Sequence, residues 1–343
     1  MNRKVLLTGA GGFIARHTVI AFLRAGYDVR GTIRNLAKAD ALRASLVAHE
    51  PVAADPSRLS FVAADLNDDA PWRAAADGVG AVAHVASPFP LENPKDRNAL
   101  TPAARGGALR VLGAALDAGV PRIVMTSSMV AMMYRPGRAK FFPVRENDWT
   151  DLEWNALTAY VVSKTEAERA AWALVEARGA KARFTTVNPG FVLGPALDAD
   201  FGTSLEVVRM FMSGAYPAAP QAGLPIVDVR DVADLHVLAI DRPETGGRRL
   251  MAATAGLSLV EFSRLLKRLE PELARRAPGL ELPAPLVRFA ANFDQRLAGV
   301  SQDLGSIPQP EAGYVERLTG LKFRPLEEAV GAAARSLARY GAV

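Results

Sequence analysis

Met1-Asn-Arg-Lys-Val-Leu-Leu-Thr-Gly-Ala-Gly-Gly-Phe-Ile-Ala15 is the stretch from which the rest of the chain can be read. Its run Lys4-Val-Leu-Leu7 is short, branched and apolar, as a strand buried on both faces should be, and glycines follow at once. Apolar residues then recur at helical spacing through Phe13, Ile14, Ile20, Phe22 and Leu23. The pattern stops at Arg24-Ala25-Gly26, a basic residue and a glycine able to take the left-handed region. Strand, turn and helix together aim a helix N-terminus, with unpaired N–H groups and partial positive charge, at whatever sits above the turn. An anion is expected there. In Gly9-x-x-Gly12-x-x-Ala15, Gly9 permits the tight turn, Gly12 lets the backbone touch a pyrophosphate, and Ala15 lets the helix pack close on the strand. A second strand-like run, Tyr27-Asp-Val-Arg-Gly-Thr-Ile33, supplies the context that a glycine cluster alone lacks.

Working outward, strand-like and helical runs alternate through the first half, which predicts an α/β fold: a Rossmann-type, doubly wound parallel sheet covered on both faces. Further strands are expected at Leu59–Ala63, Ala81–Ala86, Arg122–Thr126 and Phe184–Val187, with helices over about 36–48, 99–118 and 157–178. Each strand ends in small or polar residues, where open parallel sheets hold their ligands. Residues 129–158, with Pro136, Gly137, Pro143 and two tryptophans, are expected to form a loop. Shorter pieces follow: helices near 203–213, 231–240, 258–269 and 326–340, strands near 224–229 and 248–252, and a proline- and glycine-rich stretch at 271–313. The expected division is a nucleotide-binding domain over 1–190, to which 224–252 returns, and a smaller, interleaved C-terminal substrate lobe from 191–223 and 253–343.

The chain has 343 residues, half of them apolar, enough for a large core. No run approaches the roughly 18 apolar residues that a membrane span needs, and the fold begins almost at Met1, so a soluble, cytoplasmic protein without an export signal is expected. There is no cysteine, which excludes disulfides and thiolate chemistry. The four histidines, His17, His49, His84 and His236, form no metal-ligand spacing. The charge of +5 comes from scattered arginines rather than blocks, which suits a solvated surface better than a nucleic-acid stripe. His84 and His236 sit in apolar runs and read as core histidines, and Asp231 reads as the cap of the helix after it.

Tyr160-Val-Val-Ser-Lys164 puts a phenol and an ammonium one turn apart on a helix. A nearby cation favours phenolate and lowers the tyrosine pKa, which makes the phenol a plausible proton donor near neutrality. Here the chain resembles the extended short-chain dehydrogenase/reductases, and within them the branch of dihydroflavonol reductases, cinnamoyl-CoA reductases and methylglyoxal or carbonyl reductases. The resemblance is carried by Leu7–Ala15, Arg30-Gly-Thr-Ile-Arg34, His84-Val-Ala-Ser-Pro-Phe89, Thr126-Ser-Ser128, Tyr160-x-x-x-Lys164, Asn188-Pro-Gly190 and Val227–Ala233, and it extends to about residue 255.

The resemblance implies a division of labour. Tyr160 protonates a carbonyl oxygen, Ser128 hydrogen-bonds it, and Lys164 holds the nicotinamide ribose and tunes Tyr160; Ser127 is the competing serine and otherwise a cofactor contact. Gly9, Gly12, Phe13 and Ile14 belong to the cofactor turn, Asp65 and Leu66 match adenine contacts, Val85, Ala86 and Ser87 the ribose and nicotinamide wall, and Pro189, Gly190 and Val192 the carboxamide contacts. After the second strand an NAD site would place Asp or Glu, whereas this chain has Arg34 and then Lys38, which favours NADPH, with Arg34 gripping a 2′-phosphate. Phe89, Met129, Met132, Met133, Phe191, Met210, Met212 and Tyr216 could line an apolar substrate pocket. Met133 stands where plant flavonoid reductases carry a polar residue, which points to a smaller or more hydrophobic ketone or aldehyde. The expectation is an NADPH-dependent carbonyl reductase with a small-molecule carbonyl or alcohol substrate, acting as monomer or homodimer without nucleic acid, metal or membrane. The alternatives are a nucleotide-sugar epimerase or dehydratase with bound NAD, and an NADP-sensing regulator without chemistry.

Overall fold

The computed structural model describes residues 2–88, 94, 96–291 and 300–343. Strand β1 (Lys4–Thr8), helix α1 (Phe13–Arg24), β2 (Asp28–Ile33), α2 (Ala39–Val47) and β3 (Leu59–Ala63) form the first half-unit. The chain then passes through α3 (Pro71–Ala76), β4 (Ala81–His84), α4 (Thr101–Asp117) and β5 (Arg122–Thr126). After the short α5 (Val130–Met133) and β6 (Phe141–Val144) come the long α6 (Ala159–Ala177) and β7 (Phe184–Pro189).

Seven strands make one parallel sheet in the order β11-β7-β5-β4-β1-β2-β3, its outermost member β11 being Arg249–Ala252. The order runs outward in opposite directions from β1 and β4, and ligands of such sheets sit above the carboxyl ends at that reversal. β4, β5 and β7 are buried along their whole length, and the apolar residues of β4 and β5 run on without the alternation of a half-exposed strand. One face of the sheet packs on α1, α2 and α8 (Val229–Asp241), the other on α3, α4 and α6.

The strands β8 (Phe191–Leu193), β10 (Gly223–Asp228) and β12 (Ala255–Ser258) form a separate three-stranded sheet under α7 (Gly202–Ser213), α9 (Leu259–Leu269) and the helix Leu326–Arg339. Of the segment 224–252, α8 and β11 therefore join the large sheet while β10 pairs with β8 and β12. Gly190 makes this branching possible, since a Cβ there would stand 2.3 Å from the carbonyl of Pro225. A second difference concerns Asp231. The N-cap of α8 is Asp228, whose carboxylate accepts from the Arg230 N–H at 2.8 Å, and Asp231 sits inside the first turn, where it accepts from the backbone and guanidinium of Arg324. Among the described residues no helix is long and apolar enough to cross a membrane.

The layer that positions α6 is apolar: Leu112 of α4, wholly buried, shares a cluster with Trp172 and Val175 of α6 and Phe184 of β7. Leu112→Ala should cost about 2–5 kcal/mol, the range for a cavity left by a buried leucine, and a denaturant titration would show it as a lowered midpoint at unchanged slope.

Candidate active site

The turn between β1 and α1 is built from hydroxyls and backbone rather than charge. Gly9 has φ +70°, and a Cβ on it would meet that of Ala86 at 2.9 Å, so glycine is required on both counts. Its N–H donates to Thr32 Oγ1 at 3.0 Å. Thr8 Oγ1 accepts from the N–H groups of Val85 and Ala86 at 3.1 and 3.0 Å, which leaves its own hydrogen for His84 Nδ1 at 2.9 Å. His84 is thereby a neutral acceptor, and burial, then the ammonium of Lys164, push its imidazole down to about 3. Gly12 caps α1 with no side-chain cap, no acidic residue stands in the first turn, and a Cβ on Gly12 would meet only the Gly9 carbonyl at 3.5 Å. The cradle is open, uncharged and lined by backbone N–H, which fits a dinucleotide pyrophosphate.

The other residues expected to hold a nucleotide sit at the start of α1, beyond β2, β3 and β4, at the end of β7 and in β8. Phe13 and Ile14 open α1 and pack partly on the core. Arg34 and Lys38 follow β2 on the exposed surface, and among the described residues Arg34 has no carboxylate partner. Asp65 folds back to accept from the N–H of Asn67 at 2.8 Å, and Leu66 lies against Gly107 of α4. Val85, Ala86 and Ser87 are half-buried beyond β4; Pro189 ends β7, Gly190 is half-buried after it, and Val192 is buried in β8.

Ser128, Tyr160 and Lys164 come together at the carboxyl ends of β5 and β7. Tyr160 and Ser128 lie within hydrogen-bonding reach of each other, and the Ser128 hydroxyl also donates to the Pro189 carbonyl at 3.4 Å. It keeps some exposed surface yet lies deep in the protein, and burial pushes its phenol up while the Ser128 bond pulls the other way. This corrects the sequence expectation that Lys164 would dominate and lower it. Lys164 is itself buried, and burial pushes its ammonium down to about 8 against the attraction of Glu168. Ser127 does not face the same way: its hydroxyl donates to Glu168 Oε2 at 2.5 Å. Of the two serines, Ser128 is the one on Tyr160.

Glu168 and Arg249 were not singled out in the sequence. Glu168 has no exposed surface; besides Ser127 it accepts from Asn188 Nδ2 at 2.8 Å, Trp172 Nε1 at 3.2 Å and Arg249 Nε at 2.6 Å. Asn188 reaches also to the Ser128 carbonyl at 3.3 Å. Arg249 lies over the Trp149 ring at 3.9 Å and donates to the carbonyls of Glu146 and Asp148 at 2.8 and 2.5 Å. The one available signal was the spacing of Glu168, four residues beyond Lys164 on the same helical face.

The loop after Ser128 is pinned by the far end of the chain. β14 (Ile307–Pro310) pairs parallel with β6. The hydroxyl of Tyr134 donates to Asp303 at 2.5 Å, and Gln302 Oε1 accepts the Thr158 N–H at the start of α6 at 2.9 Å. Arg138 lies 4.8 to 5.2 Å from the ring centres of Tyr134, Phe142 and Trp154. Met129, Met132 and Met133, expected to line a substrate pocket, are buried in one cluster with Tyr134, Phe142 and Val161, so core packing accounts for them. Met212 is likewise buried, while Met210, Phe191 and Tyr216 are partly exposed, with Tyr216 Oη 3.8 Å from the Met210 sulfur. Phe89 lies outside the described residues. Both core histidines find partners: His236 Nδ1–H donates to the Val232 carbonyl at 2.7 Å and its Nε2 accepts from Thr126 at 2.7 Å.

Residues 5–252 match the model of the NAD dependent epimerase/dehydratase family. The chain is 35% identical over 339 residues to cinnamoyl-CoA reductase 1 of Oryza sativa subsp. japonica, covering 98% of this chain and 91% of that one. It is 37% identical over 275 residues to cinnamoyl-CoA reductase 2 of Arabidopsis thaliana, covering 79% of each. Its structure superposes on that of yeast methylglyoxal/isovaleraldehyde reductase Gre2 complexed with NADPH at a TM-score of 0.78 and 25% identity, over 99% of this chain and 100% of that one.

The histidines give a pH signature. Burial, ahead of other influences, pushes His17 to about 4, His84 to about 3 and His236 to about 4, while the unfolded chain protonates its histidines near 6.5. As pH falls from 6.5 towards 4 the unfolded state thus holds more protons and the fold loses stability. Asp303, raised by burial to about 6, opposes this by one proton. The net of about two protons predicts a loss of roughly 3 kcal/mol per pH unit between pH 6 and 4, readable by chemical denaturation at stepped pH; a flat profile would contradict neutral buried imidazoles.

Proposed function

We propose, from the chain's membership of the NAD dependent epimerase/dehydratase family in the branch of the cinnamoyl-CoA and carbonyl reductases, an NADPH-dependent carbonyl reductase that reversibly takes a small or hydrophobic aldehyde or ketone to its alcohol, or a thioester to its aldehyde with release of the thiol. It is an NADP-dependent oxidoreductase of the short-chain dehydrogenase/reductase type. The observation that carries the reading is the hydrogen-bonded pair of Ser128 and Tyr160 at the same carboxyl edge of the sheet as the open β1–α1 turn.

When bound, NADPH supplies the reducing equivalent. The backbone of Gly9 to Gly12 and the N-terminus of α1 would hold its pyrophosphate, and Arg34, with Lys38 nearby, its 2′-phosphate. Ser128 donates a hydrogen bond to the substrate oxygen, and the Tyr160 hydroxyl gives that oxygen its proton. A phenol raised by burial stays protonated at neutral pH and so remains a donor. Lys164 stands one turn on along α6, and its ammonium would hold the ribose. Asp65, Leu66, Val85, Ala86, Ser87, Pro189, Gly190 and Val192 would wall the nucleotide, and Phe89 with the partly exposed Phe191, Met210 and Tyr216 the substrate. Exposed Arg34, in the place of an acidic residue, supports NADP over NAD and weighs against an epimerase reading.

NADPH oxidation with short aldehydes, aryl ketones, diketones and aryl thioesters of coenzyme A, with NADH alongside, tests the assignment; no turnover with any of them would refute it. Tyr160→Phe should lower kcat by about 10²- to 10⁴-fold while NADPH binding, followed by fluorescence, stays near that of the parent. Arg34→Glu should raise the NADPH KM roughly ten- to a hundredfold, the worth of a charge-assisted contact, with a smaller change for NADH.

A further inference from the structure

Along α6, Tyr160, Lys164, Glu168 and Trp172 recur every fourth residue and share one face. Glu168 touches neither the substrate position nor the nucleotide cradle. A buried ion pair such as Glu168–Arg249 is no better for stability than well-packed apolar residues, so stability alone does not account for it. What a leucine in its place could not do is accept from Ser127, Asn188 and Trp172 in fixed directions and set a negative charge one turn from Lys164.

We propose that Glu168, held by Arg249, is the positioning residue of this site: it turns the Ser127 hydroxyl away from the cleft, leaves Ser128 to face the reacting oxygen, and balances the buried ammonium of Lys164. Asn188 links the two effects, because one amide group bonds both the Glu168 carboxylate and the Ser128 carbonyl. Arg249 carries the link onward to the loop beyond Ser128 through Trp149 and the carbonyls of Glu146 and Asp148. Lys164 is faced on its own helix by Tyr160 and Glu168, and from β4 by His84, which is neutral. From just beyond β5 and from β7 the uncharged Ser127 and Asn188 bond the Glu168 carboxylate, and Arg249 of β11 is the cation paired with it. α4 meets α6 through Ala104, Ala108 and Leu112, and α5 meets it through Met132 and Met133, so Glu168 is the carboxylate acting on the ammonium.

This deepens the carbonyl-reductase reading and rests on it. The test is the pH dependence of NADPH oxidation from pH 6 to 10 for the parent protein, Glu168→Gln and Glu168→Asp, with NADPH binding and Tm measured on each. The parent should lose activity above about pH 8, as the Lys164 ammonium gives up its proton. Glu168→Gln keeps the shape and loses the charge; its alkaline limb should move down by about one pH unit, a tenfold weaker hold on that proton, beyond any fall in kcat. Glu168→Asp keeps the charge but shortens the reach; its limb should stay at the parent value while kcat falls several-fold. A Glu168→Gln profile that superimposes on the parent, with only Tm lowered, would overturn the proposal and leave the reductase reading intact. So would a limb shifted equally in both variants. Should Glu168→Gln fail to accumulate, Glu168→Asp decides alone: a displaced limb, or a kcat equal to the parent's, overturns the proposal, and an unmoved limb with kcat several-fold lower upholds it. A parent protein that binds NADPH and reduces none of the carbonyls would remove the underlying reading itself.

Discussion

One charge pair in a place without water, Glu168 against Arg249, joins the helix that carries Tyr160 and Lys164 to the outermost strand of the large sheet. Without that pair the apolar contacts of α6 with α4 would still hold the helix in its layer, but they set its height and rotation only as closely as methyl groups do. Hydrogen bonds are directional, and those converging on this carboxylate come from just beyond β5, from β7, from β11 and from α6 itself. The face of α6 that meets the sheet is thus registered against three strands at once. Ser128 inherits its position from the same arrangement, through its neighbour Ser127 and through Asn188.

At the other side of the site the design is the reverse, an absence of charge. Thr8, Thr32 and a neutral His84 satisfy the backbone around Gly9 without placing a carboxylate or a cation there. The partial positive charge at the start of α1 then faces an anion without competition, and fixed charge is left to Arg34 at the rim. A single ligand bridging the two regions meets dipoles at its phosphates and a titratable group at its reactive end.

Much of this was legible in the residues because local signals and tertiary packing agree. β1, β4 and β5 are continuous apolar runs, and they are buried on both faces; Tyr160 and Lys164 announce themselves by spacing and do share a helix face. The methionines after Ser128 misled, because an adaptable apolar side chain reads alike in a pocket and in a core, and only burial separates the two. Asp231 misled by adjacency: Asp228 took the cap, and Asp231 found Arg324 almost a hundred residues away. The choice between Ser127 and Ser128 depended on Glu168, and the pairing of β6 with β14 on a proline-rich segment, both long-range facts with no local period to betray them. The phenol of Tyr160 was misjudged for a related reason, since spacing shows a neighbouring charge but not the loss of water around both groups.

The clasp of Gln302 and Asp303 on Thr158 and Tyr134 has a bearing on how the protein is born. Tyr134 and Asp303 are 169 positions apart, so at the usual pace of translation a ribosome that has released the first has roughly ten to thirty seconds of work before the second emerges. Late in that interval, once β11 has emerged, the nucleotide half can fold while the segment above Ser128 waits, its aromatic rings uncovered, for about the last eighth of the polypeptide. Chaperone dependence and abortive aggregation should concentrate in that window, on this segment rather than on the sheet beneath it.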